Sequence, residues 1–103
     1  MINRNRKDLD SDTQMKLADL QKQYVAVTST AELMDEYKNG LIPQSEAAFR
    51  SEQGAYQANK QEFAPVLSSL MDLLTMEHDY QEALFNHETA LIRIETLTGE
   101  ALR

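Results

Sequence analysis

Two histidines, His78 and His87, are the side chains of this sequence best suited to ligating a metal or moving a proton near neutral pH. A helical metal pair needs ligands three or four residues apart, so that both reach one ion. These two stand nine apart, about half a turn out of phase. The Glu-x-x-His spacing of carboxylate di-iron bundles is missing too: Thr75 lies three before His78, and Leu84 three before His87. His78 and Glu82 form only an i,i+4 surface pair. Met71, Met76 and His78 are the one soft set that could take copper, against the ordinary use of methionine as a filler of helical seams. No serine has a histidine and an acid at helical spacing to activate it, and no glycine-rich loop could cradle phosphate. No catalytic, cofactor-binding or metal residues are therefore expected. His87 reads as a packed residue on an apolar stripe, and His78 as a surface one.

The elements that carry these residues follow from composition and periodicity. The chain has 103 residues, enough for one domain, with 42% hydrophobic and 26% charged residues, as in a soluble protein. Three glycines and two prolines are too few to supply the turns of a sheet protein this long. A net charge of -7, spread along the chain, disfavours a nucleic-acid backbone as partner. The absence of cysteine rules out disulfides and thiolate metal sites, and fits an oxidising compartment. No apolar run approaches the roughly 18 residues that span a bilayer. The opening Met1 to Lys7 lacks the apolar stretch of a secretory signal, so an exported parent would carry this as an interior segment.

In the first half, Leu17, Leu20, Tyr24, Val27, Ala31, Met34, Lys38 and Leu41 alternate in steps of three and four, the pattern of a helix facing a partner helix. Ser11 with Gln14 three residues later has capping-box spacing and is the expected start. Gly40 to Pro43 interrupts the pattern. Either Gly40 ends one helix and Pro43 opens another, or one long helix kinks there; helical sequence on both sides favours the kink. From Gln44 to Tyr56 the positions expected to be buried are small (Ala47, Ala48, Ser51, Gly54, Ala55), which would let helices approach closely.

Ala58 to Glu62 is the expected turn, because asparagine at 59 tolerates the left-handed conformation and Pro65 suits the first turn of a new helix. Beyond it, Val66, Leu70, Leu73, Glu77, Tyr80, Leu84, His87, Leu91 and Ile94 form a second stripe. Leu67, Met71, Leu74, Phe85 and Ile92 flank it, and Thr98-Gly99 reads as a stop. The expected fold is all-α: a single long antiparallel helical hairpin, coiled-coil-like, with helix at about 11–57, turn at about 58–62 and helix at about 63–98. One seam closes the hairpin and leaves the flanking stripe wet, so self-association or docking into a larger helical assembly is expected.

Three stretches carry a resemblance to a known family. Tyr37-Lys38-Asn39-Gly40-Leu41-Ile42-Pro43-Gln44-Ser45-Glu46 is similar to a tyrosine-x-x-glycine-leucine-(leucine or isoleucine)-proline-glutamine-alanine-glutamate stretch. Ala55 through Phe63 looks like a tyrosine-x-x-glycine turn followed by an acidic-phenylalanine pair, with Asn59 where glycine is usual. Tyr80 to Leu84, with Ala90, Leu91, Glu95, Leu97 and Thr98-Gly99, resembles a closing helix with a leucine-threonine-glycine end. Together, in order, they resemble the C-terminal periplasmic part of bacterial outer-membrane efflux proteins, the TolC-like family, nearest its heavy-metal efflux branch. The resemblance covers about two-thirds of the chain, from Tyr37 to Leu102; the family's membrane strands and first repeat have no counterpart in it.

This resemblance implies a wall segment of the periplasmic helical barrel of an efflux channel subunit in the outer membrane. The intact parent would be a homotrimer, meeting a periplasmic adaptor and an inner-membrane pump at its helical tip, as a passive conduit and not an enzyme. It implies Tyr56, Asn59, Lys60, Gln61 and Glu62 as tip-turn and adaptor-contact residues. Pro65 and Ser68 stand where many members place acidic residues, so an acidic constriction ring is not carried over. The other reading of the same stripes is a stand-alone coiled-coil adaptor or scaffold protein.

Overall fold

A computed structural model describes the backbone of residues 2–101 and the side chains of residues 10–99. Helix α1 spans Ile2–Glu36, a π-helical turn spans Tyr37–Leu41, and α2 spans Ile42–Gln57. After a turn at residues 58–62, α3 spans Phe63–Ala101 and runs back antiparallel along both. The described residues contain no strand. The result is a rod of 83 × 19 × 14 Å with a radius of gyration of 22.9 Å. A compact domain of this length would have a radius near ~13 Å.

Side chains along the rods bond back onto their own helices. Threonine is a poor helix former because its branched side chain is restricted at χ1, yet its hydroxyl can donate to the carbonyl one turn back. Thr28, Thr30, Thr75, Thr89 and Thr96 all do so, onto Tyr24, Ala26, Met71, Phe85 and Ile92. Ion pairs at i,i+4, Asp12–Lys16 and Glu46–Arg50, add surface support of a few tenths of a kcal/mol each, about 0.3–0.5 in such helices.

At Pro43 the helix neither breaks nor starts afresh. Backbone angles stay helical through Leu41 (φ -68, ψ -43) and Ile42 (φ -66, ψ -49). Proline inside an α-helix has no N–H to give and its ring meets the carbonyl four residues back, at a cost of about 3 kcal/mol. Here the turn before it is widened: Ile42 donates its N–H to the Tyr37 carbonyl, five residues back. The helical ends also differ from those expected. Ser11 lies inside α1, not at its cap, and α3 continues through Gly99 to Ala101.

The seam between the two rods is narrow. Among the described residues Val66, Ala83, Ala90 and Leu97, all on α3, are the buried hydrophobic ones, and Ala83 and Ala90 keep only 2% of their surface. Between them Ser69, Leu73, Met76, Tyr80, His87 and Ile94 are half-buried, so α3 presents an unbroken three-four series. This seam lies about one residue to the side of the expected stripe: Glu77 and Leu91 are exposed, and Ala83 and Ala90 take the buried places. The same rotation holds in α1. Leu20, Val27 and Met34 face the seam as expected, but Leu17, Tyr24, Ala31, Lys38 and Leu41 are exposed, and Gln23, Thr30 and Tyr37 are half-buried instead. In α2 the small residues Ala47, Ala48, Ser51 and Gly54 are exposed and Ala55 is half-buried, so the fully buried alanines are those of α3.

The register is directly testable. Ala90→Leu inserts a branched side chain where there is no room, and should destabilise the hairpin by about 1–3 kcal/mol. Leu91→Ala, which removes the larger but exposed neighbour, should cost under about 0.5 kcal/mol. Urea denaturation of both variants checks the order; a larger loss from Leu91→Ala would place the seam on the other face.

Candidate functional site

The end of the rod where α2 turns into α3 gathers the residues singled out as tip contacts. Asn59 has φ 60, the left-handed conformation that asparagine tolerates better than most side chains. Two backbone bonds close the helix around it: Asn59 N–H donates to the Tyr56 carbonyl (3.0 Å) and Lys60 N–H to the Ala55 carbonyl (2.8 Å). This is the Schellman arrangement, which satisfies carbonyls that a helix C-terminus otherwise leaves without partners. Gln61 then folds back over the turn. Its side-chain amide donates to the Glu52 carbonyl at 2.9 Å and also to the Glu52 carboxylate.

Tyr56 and Phe63 face each other across the turn, ring centroids 5.5 Å apart and planes at 61°, an edge-to-face pair. Both stay substantially open, at 43% and 54% exposure. Asn59, Lys60 and Glu62 are exposed as well, and Gln61 is half-buried. The tip is thus a rigid cap carrying an open aromatic pair, with one basic and one acidic side chain beside it. Phe63 and Glu52 belong to this arrangement but were not among the expected contact residues. The signal for Phe63 was present, an aromatic on each side of a turn; the Glu52–Gln61 lock depends on how tightly the turn closes.

Away from the tip, two polar contacts cross the seam among the described residues. Arg93 donates to the Asp19 carboxylate at 3.2 Å, and Gln23 donates to the same group at 3.3 Å. The Gln23 bond and the Arg93 guanidinium hold the Asp19 carboxyl below its ordinary value, against an opposing desolvation effect. Thr30 Oγ1 lies 2.9 Å from His87 Nδ1. The same hydroxyl donates to the Ala26 carbonyl (2.7 Å), so Thr30 ties His87 to the backbone of α1. His87 is therefore a half-buried seam residue, and His78 is exposed. Met76 is half-buried and faces the seam while Met71 and His78 are exposed, so these three do not converge on one site. Among the described residues no three His, Cys, Asp or Glu side chains gather to hold a metal ion. Among the same residues no helix is long and apolar enough to cross a membrane.

At the π turn, burial, then the charge of the Asp79 carboxylate, raise the Tyr37 hydroxyl above its ordinary value of 10.0.

The geometry defines a long antiparallel helical hairpin with a capped, aromatic tip. No protein-family model, curated protein or solved structure matches the chain.

Two measurements probe the seam. In a double-mutant cycle of Thr30→Val and His87→Ala, the coupling energy should be about 0.5–1.5 kcal/mol, the net worth of a hydrogen bond; zero coupling would mean the two side chains do not interact in solution. The Tyr37 shift has a defined sign. The folded protein holds this proton more tightly than the unfolded chain, so its stabilising effect is present below pH 10.0 and is lost as pH rises through and above that value. Thermal melts across the alkaline range should show a decline that Tyr37→Phe makes shallower.

Proposed function

We propose that this hairpin is a wall segment of the periplasmic helical barrel of an outer-membrane efflux channel subunit. The observation that carries the reading is surplus surface. The chain exposes 8175 Å² for its 11.8 kDa. A compact monomer of that mass exposes roughly 5,900 Å², so about 2,000 Å² is left that a globular chain would have buried. At roughly 800 Å² per partner in a stable interface, that suffices for a neighbour on each edge of the hairpin.

The surplus is partly apolar and lies on both rods. On α3, Leu67, Met71, Leu74, Phe85 and Ile92 are exposed, Phe85 at 69%. On α1, Leu17, Tyr24 and Val25 are exposed, Tyr24 at 67%. A helix that shows one apolar side to its hairpin mate and another to water is built to stand in a row of helices. The resemblance of Tyr37 to Glu46, Ala55 to Phe63 and Tyr80 to Gly99 to the TolC-like efflux family supplies the kind of row. On this reading the intact parent is a trimer at the outer membrane, and the hairpin lies in the periplasm as a passive conduit wall without enzymatic activity. Its tip, with Tyr56, Asn59, Lys60, Gln61 and Glu62, meets a periplasmic adaptor leading to an inner-membrane pump.

A second reading, a self-contained coiled-coil adaptor or scaffold, has one observation in its favour. The hairpin seam is closed along the described length by its own residues, with polar contacts at Asp19–Arg93 and Thr30–His87.

Molar mass by light scattering over a concentration series separates the two. A wall segment should give a concentration-dependent mixture, shifted toward monomer by Phe85→Asp with little change in melting temperature. One sharp oligomer that survives dilution would reject the wall reading in favour of the scaffold.

A further inference from the structure

The π turn has a counting role. On α3, the seam positions 66, 69, 73, 76, 80, 83, 87, 90, 94 and 97 are all buried or half-buried, in steps of three and four without a skip. The opposite rod does not match this series by number. Counting along α1 in the same steps from Leu20, the half-buried positions are 23, 27, 30, 34 and 37, and the next would be Leu41, Gln44, Ala48 and Ser51. All four of those are exposed. Half-buried instead are Ile42, Ser45, Phe49 and Glu52, each one residue later, with Glu46 and Ala55 half-buried beside them. The slip occurs within Tyr37–Leu41, where the ladder switches from bonds four residues back to the bond from Ile42 N–H to the Tyr37 carbonyl, five back.

We infer that the π turn is a phase adapter, which absorbs one surplus residue of the first rod so that α1 and α2 both present their seam faces to the uninterrupted seam of α3. Its position is set by Pro43. A proline within the α ladder meets the carbonyl of the preceding turn, and a widened turn directly before it removes that conflict. The glycine in the turn matters as a counted residue and not for its conformational freedom. Gly40 has ordinary negative φ, and a Cβ added there would meet nothing within 4 Å. This inference stands on the backbone and burial pattern alone and does not depend on the proposed efflux role.

The test uses thermal melts of the full chain at one fixed concentration, with helix content followed by circular dichroism. Gly40→Ala, which keeps the residue count, should melt at or above the parent temperature; a drop of about 10 °C would show that glycine's flexibility is what matters, and would overturn the inference. The decisive variants are single-residue deletions made on a Pro43→Ala background, so that no proline is forced into an α-helix. Deleting Gly40 should turn the π turn into plain α-helix and leave both halves in phase, with a melting temperature within a few degrees of Pro43→Ala alone. Deleting Ser29, an exposed residue within α1, rotates one half of the rod away from the seam and should lower the melting temperature by about 10 °C or more. Equal effects of the two deletions, large or small, would reject the phase adapter.

Discussion

A hairpin of two rods has no third layer, and that constraint governs the molecule. In a globular domain a helix that rotates slightly finds other neighbours to bury its apolar side. Here each turn of α3 has only the opposite rod, so the two must stay in phase from the tip at residues 58–62 to the far end. Ala83 and Ala90 are the most deeply buried of the described side chains, at 2% exposure, and their small size leaves room for the opposite rod at those levels. Nothing else in the described part is buried to the same degree. The structure therefore depends less on the volume of its core than on the correct succession of seam positions.

The polar contacts across the seam fit that constraint. An exposed ion pair such as Asp19–Arg93 contributes little stability, about 0–1 kcal/mol. A hydrogen bond such as Thr30–His87 contributes about 1 kcal/mol net. Their larger effect is on alternatives. Sliding one rod by a heptad would separate His87 from Thr30 and Arg93 from Asp19 and lose both contacts. The tip acts in the same direction from the other end, because the left-handed Asn59 and the folded-back Gln61 fix where pairing begins. Register is thus held at the turn and along the shaft, and the π turn removes the one-residue discrepancy between them.

A thin rod of this kind offers length more than concavity. Chemistry needs a concave, water-poor pocket in which several groups converge, and two helices side by side present convex surfaces. What the hairpin offers is length, 83 Å of it, with apolar residues along its outer sides and an open aromatic pair at one end. On the proposed efflux-channel reading, the apolar sides meet neighbouring helices and the tip makes an end-on contact.

Much of this was legible in residue order alone. Few glycines and prolines, three-four periodicity on both sides of residues 58–62, and Asn59 followed by Pro65 specify two helices and the turn between them, because turn chemistry and helix periodicity are local properties. Which side of each helix faces inward was decided only by the pairing. Leu17, Tyr24 and Leu91 are apolar and periodic yet exposed, while Gln23, Thr30, Ala83 and Ala90 hold the seam. Two adjacent stripes compete on each helix, and hydrophobicity ranks the larger residues first, whereas close packing of two rods selects the small ones and those polar ones that find a partner. The π turn was hidden for the same reason. Pro43 announced a disturbance, but whether it breaks, kinks or re-phases a helix depends on what the residues beyond it must face, and that is fixed by α3 and not by the sequence around Pro43.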